Sequence, residues 1–199
     1  MTHHYEGDDL IVRKIRVGDM ENNTYVLECP KTHDALLVDG CFEADKILAG
    51  TEGANVVAIV QTHGHPDHVQ VLPQIKERLG VDVCAHPGDD YPTTVERSLS
   101  DGDKIAFGEA ETTVLHTPGH TPGSVSFVVG KHLIAGDTLF PGGPGNTDGD
   151  PARFSTIIGS IERKLFVLDD DVAVYSGHGD DTTIGAEKPK LQKWKDRGW

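Results

Sequence analysis

The seven residues at positions 62–68 read Thr-His-Gly-His-Pro-Asp-His and follow, after one residue, a continuous apolar run at 56–60. A short apolar run of this kind is typical of a β-strand that is buried on both faces of a sheet. Three imidazoles and one carboxylate fall within six residues of the segment: His63, His65, Asp67 and His68. This donor set suits zinc, iron or manganese better than copper(I) or calcium. The segment therefore predicts a metal site at a strand end, and it favours folds in which several strand ends converge.

Three further apolar stretches also lead into a potential ligand. They lie at 113–116, 134–135 and 173–175, and the ligands that follow them are His120, Asp137 and His178. Strand ends hold side chains on a rigid scaffold, so we expect these residues to meet the segment at 62–68.

The spacing within the segment at 62–68 indicates room for two metals. His63 and His65 are two residues apart in an expected irregular turn, which directs both rings toward one metal. Asp67 and His68 lie further along the chain and can reach a second metal.

Turn signals recur about every ten to fifteen residues, which predicts many short strands with few helices. Strands are predicted at 11–17, 24–29, 35–38, 56–60, 81–85, 104–107, 111–116, 124–129, 132–135 and 172–175, the last of these being the final strand. Helices are predicted at 42–49, 72–79 and 154–165, where apolar residues recur on one face. Both halves of the chain thus run as strands followed by a covering helix. This order predicts an α+β fold, a four-layer α/β/β/α sandwich, as a single domain over residues 1–199.

Charge and composition limit the classes of partner that the chain is expected to bind. The formal net charge of −14 disfavours nucleic acid and acidic membrane surfaces, so we expect a small-molecule substrate. No apolar run approaches the roughly 20 residues that span a bilayer, and the first residues lack the features of a secretory signal. The chain is therefore expected to be cytoplasmic; its oligomeric state stays open. The three cysteines, Cys29, Cys41 and Cys84, are expected to be small core residues, because they form no C-x-x-C pair.

The segment at 62–68 resembles the His-x-His-x-Asp-His signature of the metallo-β-lactamase superfamily. The segments at 117–124, 136–140 and 177–179 resemble, in the same order, the superfamily's loops for the third histidine, the bridging aspartate and the final histidine. The resemblance extends from about residue 10 to about residue 190.

The resemblance implies a specific ligand set. It assigns His63, His65 and His120 to one metal, Asp67, His68 and His178 to the other, and Asp137 to both as a bridge. Two divalent ions are implied, zinc first, with iron or manganese as alternatives. A hydroxide between the two metals would be the nucleophile, and Asp67 would serve both as a ligand and as a catalytic proton acceptor.

Within the superfamily, the short chain looks most like stand-alone relatives of glyoxalase II, the hydroxyacylglutathione hydrolases, which cleave thioesters. The alternatives are a persulfide dioxygenase with one iron on His63, His120 and Asp137, a lactonase, and a non-catalytic metal-binding domain. β-Lactam hydrolysis is disfavoured, because no cysteine neighbours a ligand segment in the sequence. Little chain follows His178, so the helical domain of full glyoxalase II is not expected.

The loop at 141–148 has the glycine and proline density of a shaped loop beside a pocket. Related thioesterases often carry arginine where this chain has Asn146, so an inherited contact to an anionic substrate is in doubt. For His86 and His116, a hydrogen bond to a ligand and ordinary packing both stay open. Four other histidines are expected to be solvated: His3, His4, His33 and His132.

Overall fold

The first half of the chain forms a seven-stranded sheet in a computed structural model that describes residues 3–198. The strands are β1 (Tyr5–Glu6), β2 (Ile11–Val17), β3 (Asn22–Glu28), β4 (Asp34–Val38), β5 (Asn55–Val60), β6 (Asp82–Ala85) and β7 (Arg97–Ser98). They follow one another across the sheet in chain order. β1 to β4 pair antiparallel, as predicted for the start of the chain, whereas β4 to β7 pair parallel. The carboxyl ends of β4, β5 and β6 therefore share one edge.

The second half forms a six-stranded sheet and a small two-stranded ribbon. The strands are β8 (Lys104–Phe107), β9 (Ala110–His116), β10 (Val125–Val129), β11 (His132–Gly136), β12 (Leu139–Phe140), β13 (Gly143–Pro144), β14 (Ala173–Ser176) and β15 (Thr182–Thr183). The sheet has the order β15-β14-β11-β10-β9-β8, and β12 pairs with β13. β11 and β14 are parallel, so the residues that follow them lie side by side.

Helices cover the outer face of each sheet. They are α1 (Ala44–Gly50), α2 (Pro66–Val69), α3 (Leu72–Leu79), α4 (Pro151–Ser160), α5 (Ile184–Glu187) and α6 (Leu191–Arg197). α4 continues through a π-helical turn at Ile161–Leu165, and a 3₁₀ turn at Lys188–Lys190 joins α5 to α6. The predicted helices at 72–79 and 154–165 are thus present, the first ending at Gly80 with a left-handed φ of 66°.

Three apolar clusters define the layers. Leu27 and Val60 of the first sheet pack against Phe127 and Ile134 of the second. A second cluster places α1 and α3 against the outside of the first sheet, and a third places α4 and α6 against the outside of the second. The predicted four-layer α/β/β/α sandwich is confirmed.

The differences from the predicted elements have local causes. Two-residue strands such as β15 have no detectable period, so the prediction that the strand at 172–175 is the last one is wrong. The expected irregular turn is present at 63–65, and the short helix α2, which was not predicted, follows it. β5 is buried on both faces only in its second half, because Val57 is 38% exposed. None of the helices between residues 3 and 198 is long and apolar enough to cross a membrane.

Candidate metal centre

The structure brings all seven predicted ligands together at one edge of the sandwich. β5 leads to His63 and His65, and the β9–β10 loop carries His120. Asp137 follows β11, and His178 follows the adjacent parallel strand β14. The potential ligand atoms fall into overlapping groups in which all atoms lie within 4.8 Å of one another: His63, His65 and His120; His63, His68 and Asp137; Asp67, His68 and His178.

The first group contains three imidazoles that surround a common point. The ring centroids of His63 and His65 are 4.9 Å apart, and each lies within 4.9 Å of the His120 ring. His120 Nδ1 donates to the backbone oxygen of Asn146 at 2.7 Å. Nε2 of the neutral ring therefore carries no proton, and its lone pair is available to a metal. His63 Nδ1 lies 3.1 Å from the hydroxyl of Thr62.

Asp67, His68 and His178, called the second group below, are organised in the same way. His68 Nδ1 lies 2.9 Å from Oδ2 of Asp39, and His178 Nδ1 donates to the backbone oxygen of Met20 at 2.9 Å. The Nε2 atoms of His68 and His178 therefore face each other at 3.1 Å. Asp67 Oδ2 lies 3.3 Å from His178 Nε2. Two imidazole nitrogens and one carboxylate oxygen thus face one point.

Asp137 contacts both groups. Its Oδ2 lies 3.4 Å from Nε2 of His120 in the first group and 3.4 Å from Nε2 of His178 in the second. Its Oδ1 lies 3.5 Å from His68 Nε2. The close approach needs glycine at 177, because a Cβ there would overlap Asp137 Oδ1. A bridging carboxylate needs this position between two ligand groups.

Electrostatics differ between the two groups. Burial lowers the pKa of His63 and His120, so both stay neutral, the form that binds a metal. Burial also opposes charge on His178, but the hydrogen bonds that its ring donates to Asp137 and Asp67 outweigh burial and raise the pKa of His178 to about 10. The facing histidines hold the pKa of Asp137 well below its usual range against the effect of burial. Protons on the second group therefore compete with a metal there.

The residues fit a pair of divalent cations. Among residues 3–198, His63 Nε2, His120 Nε2 and Asp137 Oδ1 are buried and take part in no hydrogen bond. An unsatisfied buried polar atom costs about 1–3 kcal/mol, and here three of them point into one centre. Cations between the two groups would satisfy all three with ligand types that zinc, iron and manganese accept.

Two supporting residues escaped the sequence analysis. Asp39 accepts from Thr62 N and Thr62 Oγ1, both at 2.7 Å, in addition to its contact with His68. Asn22 donates from Nδ2 to Asp67 Oδ2 at 2.9 Å. Asp39 follows β4, the neighbour of β5, so its position at the shared edge was available as a signal; Asn22 starts a strand and offered none.

The end of the β2–β3 hairpin holds the loop of His178. Asn23 N donates to Gly177 O at 2.7 Å, and Asn23 Nδ2 donates to Ser176 O at 2.9 Å. The ammonium group of Lys14 donates to Gly179 O at 2.8 Å. The second group therefore depends on contacts between the two sheets.

The cysteines are buried, as expected. No cysteine neighbours a ligand segment in the sequence, but in space Cys41 Sγ lies 3.9 Å from Nδ1 of His68. Sequence separation hid this contact, which forms across the edge shared by β4 and β5. Cys41 lies behind the ring, on the side opposite to Nε2, and so does not face the metal ligands.

The remaining histidines divide into two kinds. The prediction of a solvated His132 is wrong: its ring is buried against Tyr5 and lies 3.0 Å from the hydroxyl of Tyr175. His86 and His116 stack on each other at 4.1 Å, and in the part of the chain that the structure describes neither hydrogen-bonds a predicted ligand.

The loop at 141–148 contacts the first group through its backbone. The Asn146 oxygen orients His120, while the Asn146 side chain is exposed and bonds to Asp148. Arg153, at the start of α4, pairs with Asp148 at 2.6 Å and also donates to the backbone oxygens of Gly119 and His120. The guanidinium beside this loop is thus already paired with a carboxylate.

A model of the metallo-β-lactamase superfamily matches residues 17–178. The chain is 32% identical over 179 residues to the hydroxyacylglutathione hydrolase GloC of Haemophilus influenzae, covering 78% of this chain and 84% of that protein. It is 38% identical over 162 residues to a hydroxyacylglutathione hydrolase of Anaeromyxobacter dehalogenans, covering 79% of this chain but 61% of that longer protein.

Solved structures show the same architecture. ETHE1 from Myxococcus xanthus superposes with a TM-score of 0.82 at 29% identity, covering 89% of this chain and 81% of that one. The BLEG-1 B3 metallo-β-lactamase gives 0.81 at 28% identity, covering 89% and 96%. TTHA1623 in a di-iron-bound form gives 0.76 at 32% identity, covering 88% and 96%.

Proposed function

Because the chain belongs to the metallo-β-lactamase superfamily, whose members are generally metal-dependent hydrolases, we propose that it is a binuclear hydrolase that cleaves a small thioester. The observation that carries this proposal is the second ligand group. Asp67, His68 and His178 converge, and each is held by a hydrogen bond from outside the ligand set, and Asp137 faces both groups. A site for one metal would need none of these supports.

In this proposal His63, His65 and His120 would hold one cation, Asp67, His68 and His178 would hold the other, and Asp137 would be shared by both. Zinc fits best, with iron or manganese as alternatives. When bound, a pair of divalent cations would supply an acidified water as nucleophile and Lewis-acid polarisation of the substrate carbonyl.

Asp67 is the chain's own catalytic group in the proposal. Hydrogen bonds from His178 and Asn22, together with the charge of His68, outweigh burial and lower the pKa of Asp67, so its carboxylate is ionised at neutral pH. Asn22 Nδ2 fixes one of its oxygens. The carboxylate can therefore accept the hydrogen bond of an attacking water and orient it toward the substrate.

A thioester is the favoured substrate because its leaving group departs easily. A thiol has a pKa near 8.5, so a thiolate departs without full protonation, whereas an alkoxide or an amine needs a general acid. The similarity to two hydroxyacylglutathione hydrolases supports the same choice.

The second candidate is a persulfide dioxygenase with one iron on His63, His120 and Asp137, and the similarity to ETHE1 favours it. A lactonase acting on a cyclic ester is a third candidate. The hydrogen bonds that hold the second group argue against a single metal, and the similarity to the di-iron form of TTHA1623 supports two metals.

Elemental analysis coupled to a substrate panel tests the proposal. We expect about two metals per chain and hydrolysis of S-lactoylglutathione, and we expect His178→Ala to lose one metal and most activity. His3→Ala is the control, because His3 pairs with Glu6, away from both ligand groups. The panel also contains a lactone, a β-lactam and glutathione persulfide with oxygen uptake. One iron per chain with oxygen consumption would replace the proposal by the second candidate.

Several expectations remain part of this proposal. They are a single domain over 1–199, a cytoplasmic location, and a small-molecule substrate without a nucleic-acid or membrane partner. The net charge of −14 supports the last of these.

A further inference from the structure

Asp89 lies outside the predicted ligand set but at the same edge of the first sheet. It follows β6, which pairs in parallel with β5, the strand that leads to His63 and His65. The carboxyl ends of the two strands are therefore adjacent. The loop after β6 consequently runs beside the segment at 62–68.

The Asp89 carboxylate joins two loops that each carry a ligand of the first group. Its Oδ2 accepts from Gly64 N at 2.9 Å, in the turn between His63 and His65. The same oxygen accepts from Thr121 Oγ1 at 2.6 Å, and Oδ1 accepts from Gly123 N at 2.8 Å. Thr121 directly follows His120. One side chain thus binds both loops with three hydrogen bonds.

Two glycines make this approach possible. A Cβ at Gly64 would lie 2.8 Å from the Asp89 Cβ, and a Cβ at Gly123 would lie 2.6 Å from the Asp89 Cγ. Neither glycine has a positive φ, so space rather than backbone conformation requires glycine at both positions. The loops are therefore closely fitted around the carboxylate.

Further contacts hold the loop that carries Asp89. Gly88 N donates to His86 Nδ1 at 3.0 Å, and the His86 ring stacks on His116. His116 Nε2 donates to the backbone oxygen of Pro122 at 3.0 Å, in the His120 loop. These contacts give His86 and His116 a role in holding the loops, although neither touches a ligand.

His65 depends on this arrangement more than its partners do. Within residues 3–198 no hydrogen bond reaches either nitrogen of the His65 ring, whereas Thr62 contacts His63 and Asn146 orients His120. The position of the His65 ring therefore depends on its contacts with the rings of His63 and His120 and on its backbone turn, which Asp89 holds through the bond from Gly64 N.

We propose that Asp89 is a positioning residue that holds the His65 turn and the His120 loop at a fixed separation and thereby sets the metal affinity of the first group. The inference rests on the proposed binuclear site. Asp89 acts on the first group alone, because its three hydrogen bonds reach the loops of His65 and His120. Asn22 supports the second group, and Asp39 contacts both. Loss of Asp89 would let the first three rings spread without altering a ligand.

The test is the effect of Asp89→Asn on zinc affinity, measured by competition with a chromophoric chelator. The amide keeps the size of the carboxylate but presents an NH₂ group to one of three donors. The matched control is Asp90→Asn, the exposed neighbour in the same loop. We expect Asp89→Asn to weaken the first site about 10–100-fold, the range for residues that orient ligands, and Asp90→Asn to leave it unchanged.

Combining Asp89→Asn with a second substitution shows which ligand group it affects. In His178→Ala, which impairs the second group, the substitution should weaken the remaining zinc; in His120→Ala, it should have little effect. The absorption spectrum of the cobalt(II)-substituted protein supplies a second readout, because it responds to ligand geometry. A residue that only stabilises the fold would lower the melting temperature without changing either measurement.

Equal zinc affinity and equal cobalt spectra for Asp89→Asn and the parent protein would overturn the inference. If Asp89→Asn does not fold, Thr121→Val decides, since it removes one of the three bonds; parental affinity in that variant would also overturn it. A parent protein that binds no zinc would instead refute the proposed function.

Discussion

The buried ring of His68 donates through Nδ1 to Oδ2 of Asp39 at 2.9 Å, which directs its Nε2 toward Asp137 and His178. Asp39 also accepts two hydrogen bonds from Thr62, the residue before His63. A single carboxylate thus sets the tautomer of a second-group ligand and anchors the start of the first group.

Asp39→Asn is expected to weaken metal binding at the second group by about 10–100-fold. The amide cannot accept all three hydrogen bonds, so His68 loses its fixed tautomer. The backbone tolerates the change, because Asp39 has a φ of 64° and asparagine adopts this region readily. Metal content after dialysis against a weak chelator measures the effect, and Asp82→Asn on the exposed start of β6 is the control. Full retention of two metals would contradict the prediction.

The pKa of His178 predicts a pH dependence of metal binding. The folded-state pKa of about 10 lies above the unfolded value of about 6.5. In protein stripped of metal by a chelator, protonated His178 therefore stabilises the fold fully below about pH 6.5, and this stabilisation is lost as the pH rises toward 10. A metal must displace the same proton, so its affinity should rise over this range.

Melting temperatures with and without zinc between pH 6.5 and pH 9 test this dependence. We expect the increase caused by zinc to grow with pH in the parent protein and in His3→Gln. In His178→Gln the growth should be smaller, because the competing proton is gone. An increase that is independent of pH in the parent protein would show that His178 does not hold a proton in the stripped protein.

The sequence was sufficient to predict the positions of all seven candidate ligands, for a physical reason. His63, Asp137 and His178 lie within three residues of a strand end, and the other four follow in the same segment or in the loop between two strands. Hydrophobic patterning, which marks these strands, is the primary local signal in a sequence. Once β11 and β14 pair in parallel, Asp137 and His178 must be neighbours. The four layers followed from the same runs together with the amphipathic helices.

The residues that hold the ligands from behind could not be predicted in the same way. Asp39, Asn22 and Asp89 are polar residues in or beside loops, where most polar side chains are solvated. Their roles come from register and loop path, which are set by the packing of two sheets rather than by local composition. The burial of His132 was missed for the same reason, since Tyr5 of the first sheet covers the start of β11.

His132→Ala is expected to lower the free energy of unfolding by about 1–3 kcal/mol. The substitution removes a ring packed 4.2 Å from the Tyr5 ring and leaves the Tyr175 hydroxyl without its partner. Metal content should stay at two per chain, because the site lies elsewhere. Urea denaturation measures the loss, and His3→Ala should change stability by less than about 0.5 kcal/mol. A similarly small change in His132→Ala would contradict the buried position.

Glu187 is expected to control the order of the loop at 141–148. Its buried carboxylate accepts from Gly142 N at 2.9 Å and from the Thr182 hydroxyl at 2.7 Å, and Lys190 lies 3.0 Å from both oxygens. Glu187→Gln keeps the shape but turns an NH₂ group toward one of these donors. The Gly142 amide should therefore exchange with solvent about tenfold faster or more, because a lost bond of about 1.5–3 kcal/mol lowers its protection. If the loop faces the substrate, KM should rise while metal content stays constant.

Hydrogen exchange followed by mass spectrometry measures the faster exchange of Gly142, and Glu162→Gln, in the exposed pair with Lys195, is the control. Unchanged protection of Gly142 in Glu187→Gln would show that the ribbon of β12 and β13 orders the loop without this carboxylate.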